Sequence, residues 1–455
     1  MRVLKVILVF ASVATAGLVF SHSLSAIANG RAGPMISAGR WEDAFDDATG
    51  LETMNQTSVS DGLLRLSDNI HQVWEISSQV SFQAGNLNQV DAQAQPGALQ
   101  LALQDLDFSP NQLVSVTPDN SFGFLPYFTP PALVNDGGQT LHLAWADGLQ
   151  YDIHYRCSLD AGENWEVLDP LTGDGATTVQ DSPAMVVGAT GGVYVVWYDE
   201  QVDSDGDIYL AYRAGCNSSW NTPAPVPVAA LAGVAEDAPS LAIDDAGKLH
   251  LAWTANGNIY FSFSDDGGLT WKAAQQLNDA SGAVANAPDL VVDPAGQEIG
   301  VVWEYDLPAA EQNIYFARSG DGGLAWSTNQ PVAPDAAEFQ YAPAISRSSN
   351  GNLYVAWAAG GIFTARSLDG GQNWQPPVSV HDEPLGRFWG GVDLIVDRED
   401  TIFLAWHDAR HTVFIPTPPN WYFDVFLSYS EDDGQSWSAN IQLNDDPVVN
   451  PGIDQ

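Results

Sequence analysis

Short apolar runs separated by turn residues fill the chain from about Thr129 onward. A run that alternates apolar and polar side chains and ends in tryptophan recurs six times, 49–56 residues apart, and most copies follow a second, proline-led apolar run. The tryptophans are Trp145, Trp197, Trp253, Trp303, Trp357 and Trp406. Because side chains of a strand alternate between two faces, this pattern predicts short β-strands repeated in units of about 50 residues.

A second motif, Ser-x-Asp-x-Gly-x-x-Trp, follows the tryptophan strand in five of these units. The five copies span Ser158–Trp165, Ser264–Trp271, Ser319–Trp326, Ser367–Trp374 and Ser430–Trp437. A sixth place, from Arg213 to Trp220, keeps only the tryptophan. Four strands in each of six units predict an all-β, six-bladed β-propeller of four-stranded antiparallel blades, since one such sheet cannot bury both faces until its neighbours stack around a ring.

The aspartates of this motif are expected to be structural. Glycine supplies a positive φ, the Asp and Ser side chains can bond to the turn's own backbone, and Trp packs between sheets. Five near-identical copies around a ring cannot all line one ligand site. The expected structural aspartates are Asp160, Asp266, Asp321, Asp369 and Asp432.

The motif resembles the Asp-box of the bacterial neuraminidase (BNR) repeat, and the six-unit layout is similar to the sialidase-like propeller. This resemblance covers the repeats from about Thr129 to Leu443 and implies the fold. It is less specific for activity, because Asp-box propellers include sialidases, other glycan-processing enzymes, sorting receptors and proteins with no known reaction.

The strong excess of acidic residues argues against several classes of binding partner. With 57 Asp and Glu against 15 Lys and Arg, the formal net charge is −42. Nucleic acids and anionic membrane surfaces need a basic patch that these residues cannot build, so neither is expected as a partner. Strong negative charge also disfavours an anionic sugar.

The N-terminus predicts export. Basic Arg2 and Lys5 precede an apolar run, and Ala26-Ile27-Ala28 forms a small-x-small cleavage site. Residues 1–28 are therefore expected to be a signal peptide cleaved after Ala28, giving a secreted or extracytoplasmic protein. No later apolar stretch reaches the roughly 20 residues of a membrane helix, so no membrane insertion is expected.

Residues 29–125 lie outside the repeat, and the propeller is expected over 126–455. Gly62–Leu66 and Gly97–Leu101 have the pattern of strands, whereas Asn86–Gly97 is rich in Gln, Asn and Ala. The segment is expected to be a small β appendage with a linker, or strands that close the ring.

The resemblance also defines a test for sialidase activity. It implies three arginines on the substrate carboxylate, a Tyr nucleophile beside a Glu, and an Asp acid/base. The Phe/Tyr-Arg-Ile-Pro string that carries the family's first arginine does not occur here. By the same resemblance, four arginines belong on the face opposite the active site: Arg156, Arg213, Arg318 and Arg366.

A ligand site is expected where the fifth and sixth units bring long loops together. Its candidates are Tyr341, Arg387, Trp389, His407, Asp408, Arg410, His411 and Trp421. Aromatic rings there could stack a sugar while the arginines and carboxylates fix its polar groups. Alternatively, the aromatic residues cap the last blade and Asp408–Arg410 stiffens a loop. Two-carboxylate catalysis on a neutral sugar would use Asp199, Glu304 or Asp408.

Metal and cysteine chemistry is limited. Asp203, Asp205 and Asp207 resemble the start of a calcium loop, but Ala214 stands where an EF-hand needs its Glu. A tight turn is therefore expected here, with weak calcium binding as the alternative, and no other cofactor is expected. Cys157 and Cys216 are candidates for a disulfide between adjacent blades, or two separate thiols.

Together these features favour a secreted Asp-box propeller that acts as a non-catalytic module binding a glycan or an extracellular protein. The alternative is an exo-acting glycoside hydrolase of the sialidase superfamily. A structural surface protein without a small ligand is a third possibility, expected if loops plug the central face.

Overall fold

The structure is a computed structural model that describes residues 131–146, 152–167, 169–172, 178–201, 205–231, 233–279, 283–307, 311–334, 339–382, 388–408, 410, 415–416, 419–420 and 424–443, together with three short strands near the N-terminus. Those three strands belong to one compact unit and all later strands to another. They are β1 (Gln56–Ser60), β2 (Leu63–Ser67) and β3 (Val73–Ile76), paired antiparallel in chain order. β2 includes most of the predicted Gly62–Leu66 strand, and the expected Gly97–Leu101 strand lies outside the described residues.

Six four-stranded sheets follow in the second unit, one for each predicted repeat. Blade 1 contains β4 (Ala132–Asn135), β5 (Leu141–Ala146), β6 (Ile153–Ser158) and β7 (Asp169–Pro170). Blade 2 contains β8 (Gln180–Val187), β9 (Val193–Asp199), β10 (Asp207–Arg213) and β11 (Ala224–Pro225). Blade 3 contains β12 (Glu236–Ile243), β13 (Leu249–Ala255), β14 (Asn258–Ser264) and β15 (Gln275–Gln276).

The second half of the ring repeats this arrangement. Blade 4 contains β16 (Val284–Val292), β17 (Ile299–Leu307), β18 (Glu311–Ser319) and β19 (Gln330–Pro331). Blade 5 contains β20 (Tyr341–Arg347), β21 (Leu353–Ala358), β22 (Ile362–Ser367) and β23 (Val378–Ser379). Blade 6 contains β24 (Phe388–Val396), β25 (Ile402–Asp408), β28 (Asp424–Ser430) and β29 (Ile441–Gln442), with a two-stranded ribbon of β26 (Ile415–Pro416) and β27 (Pro419–Asn420) inserted before β28.

Each blade is a meander in which neighbours in sequence pair antiparallel. The first strands of successive blades contact one another, from β4 to β8 and onward to β24. These strands are therefore innermost and surround the central channel of the propeller. The predicted fold class, an all-β six-bladed propeller, is confirmed.

The tryptophan strands supply the packing between blades. Trp197, Trp253, Trp303, Trp357 and Trp406 are fully buried. The core clusters join residues of two blades, as where Phe261 of blade 3 packs with Trp303 and Tyr305 of blade 4. Burial of these large side chains drives the stacking, because each is removed from water only when the next blade is in place.

Blades 1 and 6 also meet. Arg398, in the turn after β24, lies so close to Gly137 of blade 1 that a Cβ on that glycine would be 3.1 Å from Nη2 of the arginine. None of the described residues forms a helix with the length and hydrophobicity needed to span a membrane.

Candidate functional site

The Asp-box side chains bond to their own turns. In all five copies the Ser hydroxyl donates to the Asp carboxylate over 2.8–2.9 Å and accepts from the Gly N–H over 2.8–2.9 Å. In Asp369, hydrogen bonds led by that from the Asn373 side chain lower the carboxyl pKa to about 2. These carboxylates stabilise hairpins, and their bonding needs no ligand to explain it.

Blade 2 replaces its missing Asp-box with other contacts. The Arg213 guanidinium donates to the carbonyl oxygens of Gly215, Cys216 (2.5 Å) and Ser218, and it lies 4.9 Å from the ring centre of Trp220. Cys216 is joined to Cys157 of blade 1 by a disulfide with a Cα–Cα distance of 5.8 Å. A cation and a covalent link thus hold the turn that lacks Ser and Asp.

A different set of residues surrounds the end of the channel opposite the Asp-box turns. Four innermost strands carry a residue with positive φ immediately before a proline: Ser182 (54°), Ala238 (48°), Ala287 (48°) and Ala342 (52°). A residue before proline normally avoids this region, so each is a strained bulge, and the strand register shifts at all four. We call this end the channel mouth; it comprises Asp181, Tyr198, Glu200, Asp237, Thr254, Asn286, Glu304, Tyr341 and His407.

Mouth residues of one blade bond to the bulge of the next. Oγ1 of Thr254 donates to Oδ1 of Asn286 over 3.2 Å. Oε1 of Glu304 accepts from the backbone N–H of Ala342 over 2.6 Å, and its Oε2 accepts from the Gln312 amide over 3.2 Å. Burial nevertheless raises the pKa of Glu304 above its ordinary value. A carboxyl group in this setting holds a proton more readily than a solvated one.

Tyrosine and carboxylates meet in blades 2 and 3. The Tyr198 hydroxyl donates to Oε1 of Glu200 over 2.8 Å. Burial, followed by the charge of Asp181, raises the pKa of Asp237, whose carboxylate remains open to solvent in the mouth although protein surrounds it on most sides. Gly206 lies against Tyr198, since a Cβ there would come within 1.9 Å of the ring. The resulting surface is polar, acidic and partly aromatic.

Two further acids lie deeper along the innermost strands. Asp289 accepts from Oγ of Ser240 over 2.9 Å and from the N–H of Ile345 over 2.8 Å, which links three blades. Burial, with the charge of Asp289 as a second cause, raises the pKa of Asp393 to about 7. The channel below the mouth therefore contains an acid that titrates near neutrality.

Arg410 is fully engaged within the protein. Its guanidinium donates to Asp408 (2.6 Å), Asp382 (2.9 Å) and Asn440 (3.0 Å) and covers the Phe426 ring at 3.9 Å. Oδ2 of Asp408 also accepts from the Trp406 indole over 3.1 Å. Of the two interpretations offered for Asp408–Arg410, these contacts fit a pair that stiffens the loop.

Of the other predicted ligand residues, two lie at the mouth, and the side chains of the rest are outside the described part of the chain. Tyr341 and His407 are partly buried at the mouth, on blades 5 and 6, and burial lowers the pKa of His407. Trp389 lies in β24, but its side chain is outside the described part of the chain. Arg387, His411 and Trp421 are also outside it.

Five described arginines bind groups of the protein itself: Arg156, Arg213, Arg347, Arg366 and Arg410. Arg410 pairs with Asp408 and Asp382, so each of these five guanidinium groups has its own partners within the protein. The carboxylate clamp of a sialic acid site is accordingly not formed by these residues.

The calcium candidate is partly described. Asp203 is outside the described residues, Asp205 is exposed, and Asp207 is buried at the start of β10. No group of three or more His, Cys, Asp or Glu side chains positioned to hold a metal occurs in the described ranges. Gly206, between the two described aspartates, is explained by packing, because any side chain there would collide with the Tyr198 ring.

The bulges that shape the mouth are not among the features predicted from the sequence. Their signal is a short string at the start of the innermost strand: Asp181-Ser182-Pro183, Asp237-Ala238-Pro239, Asn286-Ala287-Pro288 and Tyr341-Ala342-Pro343. The polar or aromatic first residue recurs at the same place in four blades. The middle residue of each string has a positive φ, which the following proline makes improbable. This backbone conformation, and not the string itself, places the first residue at the mouth.

Comparison with solved structures shows the same fold at low identity. A Hadza microbial sialidase, Hz136, is 13% identical with a TM-score of 0.43, over 64% of this chain and just under two thirds (66%) of that one. An ulvan lyase of family PL25 is 12% identical with a TM-score of 0.51, over 69% and 82% of the two chains. The GH93 α-L-arabinofuranosidase of Fusarium graminearum is 15% identical with a TM-score of 0.47, over 65% and 91%.

No curated protein matches the chain. The family model described as the BNR repeat-like domain matches residues 191–455, which is more than half of the sequence and includes five of the six tryptophan strands. Together with the five Asp-boxes and six blades, this match shows that the chain belongs to the BNR repeat-like domain family.

Proposed function

We propose that this protein is an exported, non-catalytic propeller that binds an uncharged glycan at the channel mouth. The observation that carries the proposal is the set of four strained bulges at Ser182, Ala238, Ala287 and Ala342. Backbone strain of this kind costs of order 1–3 kcal/mol per residue and clusters at ligand sites. Its repetition at one end of the ring favours that end as the binding surface.

The chemistry of the mouth suits sugar hydroxyls. Carboxylates of Asp181, Asp237 and Glu200 are acceptors for hydroxyl groups, and the Tyr341 ring offers an apolar face for stacking. A net charge of −42 disfavours an anionic ligand. Because Arg156, Arg213, Arg347, Arg366 and Arg410 are bound within the protein, an uncharged glycan fits this surface better than sialic acid.

The bonding of the acids supports binding rather than turnover. Both oxygens of Glu304 accept hydrogen bonds from the protein, and Asp181 and Asp237 accept from the following backbone N–H groups at 2.7 and 2.6 Å. A catalytic acid must instead reach the glycosidic oxygen with its own proton. These carboxylates are held in place to shape the bulges.

A second candidate function, hydrolysis of a neutral glycoside, rests on one observation. The pKa values of Glu304 and Asp237 are both raised, as a general acid requires. In that case Glu304 would protonate the leaving oxygen, and a second mouth carboxylate would act as base or nucleophile.

Export is part of the proposal. It rests on the predicted signal peptide of residues 1–28 and on the Cys157–Cys216 disulfide, a bond that persists in oxidising compartments. N-terminal sequencing of the protein recovered from the culture medium would give Asn29 as the first residue, and retention of residues 1–28 would contradict it.

The test of binding at the mouth is a pair of tryptophan variants. Neutral and sialylated oligosaccharides are screened on an array, and the affinity for the best neutral binder is measured by calorimetry. Asn286→Trp fills the mouth and is expected to weaken binding at least about tenfold, or about 1.4 kcal/mol. Leu269→Trp, on an Asp-box turn where Leu269 is 81% exposed, is the matched control and leaves affinity unchanged.

Equal affinity in both variants would place the site elsewhere. Binding confined to sialylated glycans would contradict the uncharged ligand class.

A further inference from the structure

The seam between blades 5 and 6 contains a cavity of about 300 Å³ on the Asp-box side of the ring. Its walls include Tyr354, Thr364, Arg366, Gln375, Val378 and Gln435. None of these residues belongs to the channel mouth. Comparison of equivalent positions in the six blades explains why the cavity forms.

The cavity lies where a packing residue is missing. The positions equivalent to Thr364 in the third strands of the other blades are Tyr155, Leu210, Phe261, Phe316 and Leu427. Phe316 fills its seam so closely that a Cβ on Gly371 of the next Asp-box would come within 2.3 Å of the ring. At Gly434, across the seam from Thr364, the nearest atom would be 3.5 Å away. Thr364 alone among the six is small and polar.

The outermost strand departs from the repeat at the same seam. Gln275 and Gln330 occupy the position of Val378 in blades 3 and 4. Each donates its amide to the Gly carbonyl of the following Asp-box, Gln275 to Gly323 over 2.6 Å and Gln330 to Gly371. Val378 cannot make this bond. The seam therefore loses a cross-blade hydrogen bond as well as a large side chain.

A third departure builds a polar wall. Asp433 has a φ of 65° at the place where three other Asp-boxes have glycine. Its carboxylate accepts from Tyr354, from Asn352 over 3.1 Å and from Arg366 over 3.0 Å. Arg366 also donates to the Asp433 carbonyl over 2.6 Å. The guanidinium charge is thereby neutralised within the protein rather than kept for a ligand.

We propose that this cavity, which we call the seam site, binds one uncharged, hydroxyl-rich ring such as a single sugar residue. The Gln375 amide offers donors and an acceptor, and the Gln435 amide, whose Nε2 donates to the Asp432 carbonyl over 2.8 Å, offers its oxygen and its second N–H. Thr364 contributes a hydroxyl, and Val378 provides an apolar surface. The volume is at the lower end of the range for small-ligand sites. Since Arg366 is paired with Asp433, an anion gains little there.

The test restores the missing side chain. Thr364→Phe gives blade 5 the residue that blades 3 and 4 already have, and Thr364→Leu introduces the smaller residue that blades 2 and 6 have at this position. Leu368→Phe adds the same ring outside the cavity, at a position that is 50% exposed. Melting temperatures verify that each variant is folded.

Binding is read by hydrogen exchange with mass spectrometry, because this method separates the seam site from the mouth. The probes are methyl β-D-glucopyranoside, methyl β-D-galactopyranoside and methyl α-L-arabinofuranoside at high millimolar concentration, with glucuronate as the anionic control. In the wild type and Leu368→Phe, at least one neutral probe is expected to protect peptides spanning residues 364–378 and 430–437. Thr364→Phe and Thr364→Leu are expected to abolish that protection.

Three results would overturn the seam site: no protection of these peptides by any neutral probe, protection that persists in folded Thr364→Phe and Thr364→Leu, or equal protection by glucuronate. Because the readout is local, failure of the seam site leaves binding at the mouth unaffected, and the reverse also holds.

Discussion

At the scale of single residues, the Asp-box glycines show how closely the blades approach one another. Gly371 and Gly434 both have positive φ, 83° and 76°, so each disfavours a side chain for the same backbone reason. They differ in their surroundings, since a Cβ on Gly371 would come within 2.3 Å of Phe316, whereas a Cβ on Gly434 would make only ordinary contacts with Ile402 and Tyr354 at 3.5–3.7 Å. Comparing the two positions therefore distinguishes the cost of backbone strain from the cost of steric overlap with a neighbouring blade.

Replacing each glycine by alanine and measuring the loss in the free energy of unfolding gives these two costs. Gly434→Ala is expected to cost about 1 kcal/mol, the penalty for positive φ in an L-residue. Gly371→Ala carries the same strain plus about 1–3 kcal/mol of overpacking against Phe316. Denaturant unfolding of both variants checks the difference, and equal losses would show that the seams are packed alike.

Asp393 gives the channel a pH dependence. Its folded pKa is raised from 3.8 to about 7, so the folded protein keeps a proton that the unfolded chain releases. The stability contributed by this group is complete below pH 3.8 and is lost as pH rises through about 7.

Asp393→Asn is therefore expected to raise the melting temperature at pH 8 and to change it little at pH 4, as measured by calorimetry. A gain at pH 4 in the Asp393 variant would contradict the assignment.

At the scale of elements, the strands are predictable from the sequence and the loops are less so. Alternation and recurring tryptophans predict four strands per blade, because burial of one face is a property of the strand itself. The role of Arg410 cannot be predicted in the same way. Its partners Asp382 and Asn440 lie 28 and 30 residues away, and only the folded ring brings them together.

Arg410→Ala tests whether this residue pins the loop or binds a ligand. Removing one partner of a well-packed ion pair costs about 3–5 kcal/mol, and the Arg410 side chain is only 11% exposed. We expect a clear loss in the free energy of unfolding, with the affinity for neutral glycans retained once the protein is folded. Unchanged stability with lost binding would restore Arg410 to the ligand site.

The mouth marks the limit of sequence reasoning at this scale. The loops of the last two blades predict Tyr341 and His407 at a site, and the structure places both at the mouth. Asp181 and Asp237 are not predicted because the recurring string in which they stand two positions before proline does not by itself reveal the bulge. Their importance comes from the bulges, which exist only when neighbouring blades hold the backbone in place.

At the scale of the whole molecule, negative charge and ring architecture act together. Many acids bond within the hairpins, whereas those of the mouth and channel concentrate negative charge on the axis of the ring. An anionic sugar approaching that axis meets repulsion, and the guanidinium groups of Arg156, Arg213, Arg347, Arg366 and Arg410 are already bound within the protein. The architecture therefore favours an uncharged ligand on the axis.

The most direct test of this account is to measure binding and cleavage on the same sample. The protein is incubated for an extended time with the neutral oligosaccharides that it binds best, and the glycans are then analysed by mass spectrometry. We predict that they remain bound and intact, and that Glu304→Gln changes neither result. Cleavage of a neutral glycan by the wild type that disappears in Glu304→Gln would contradict the account and establish the protein as a glycoside hydrolase.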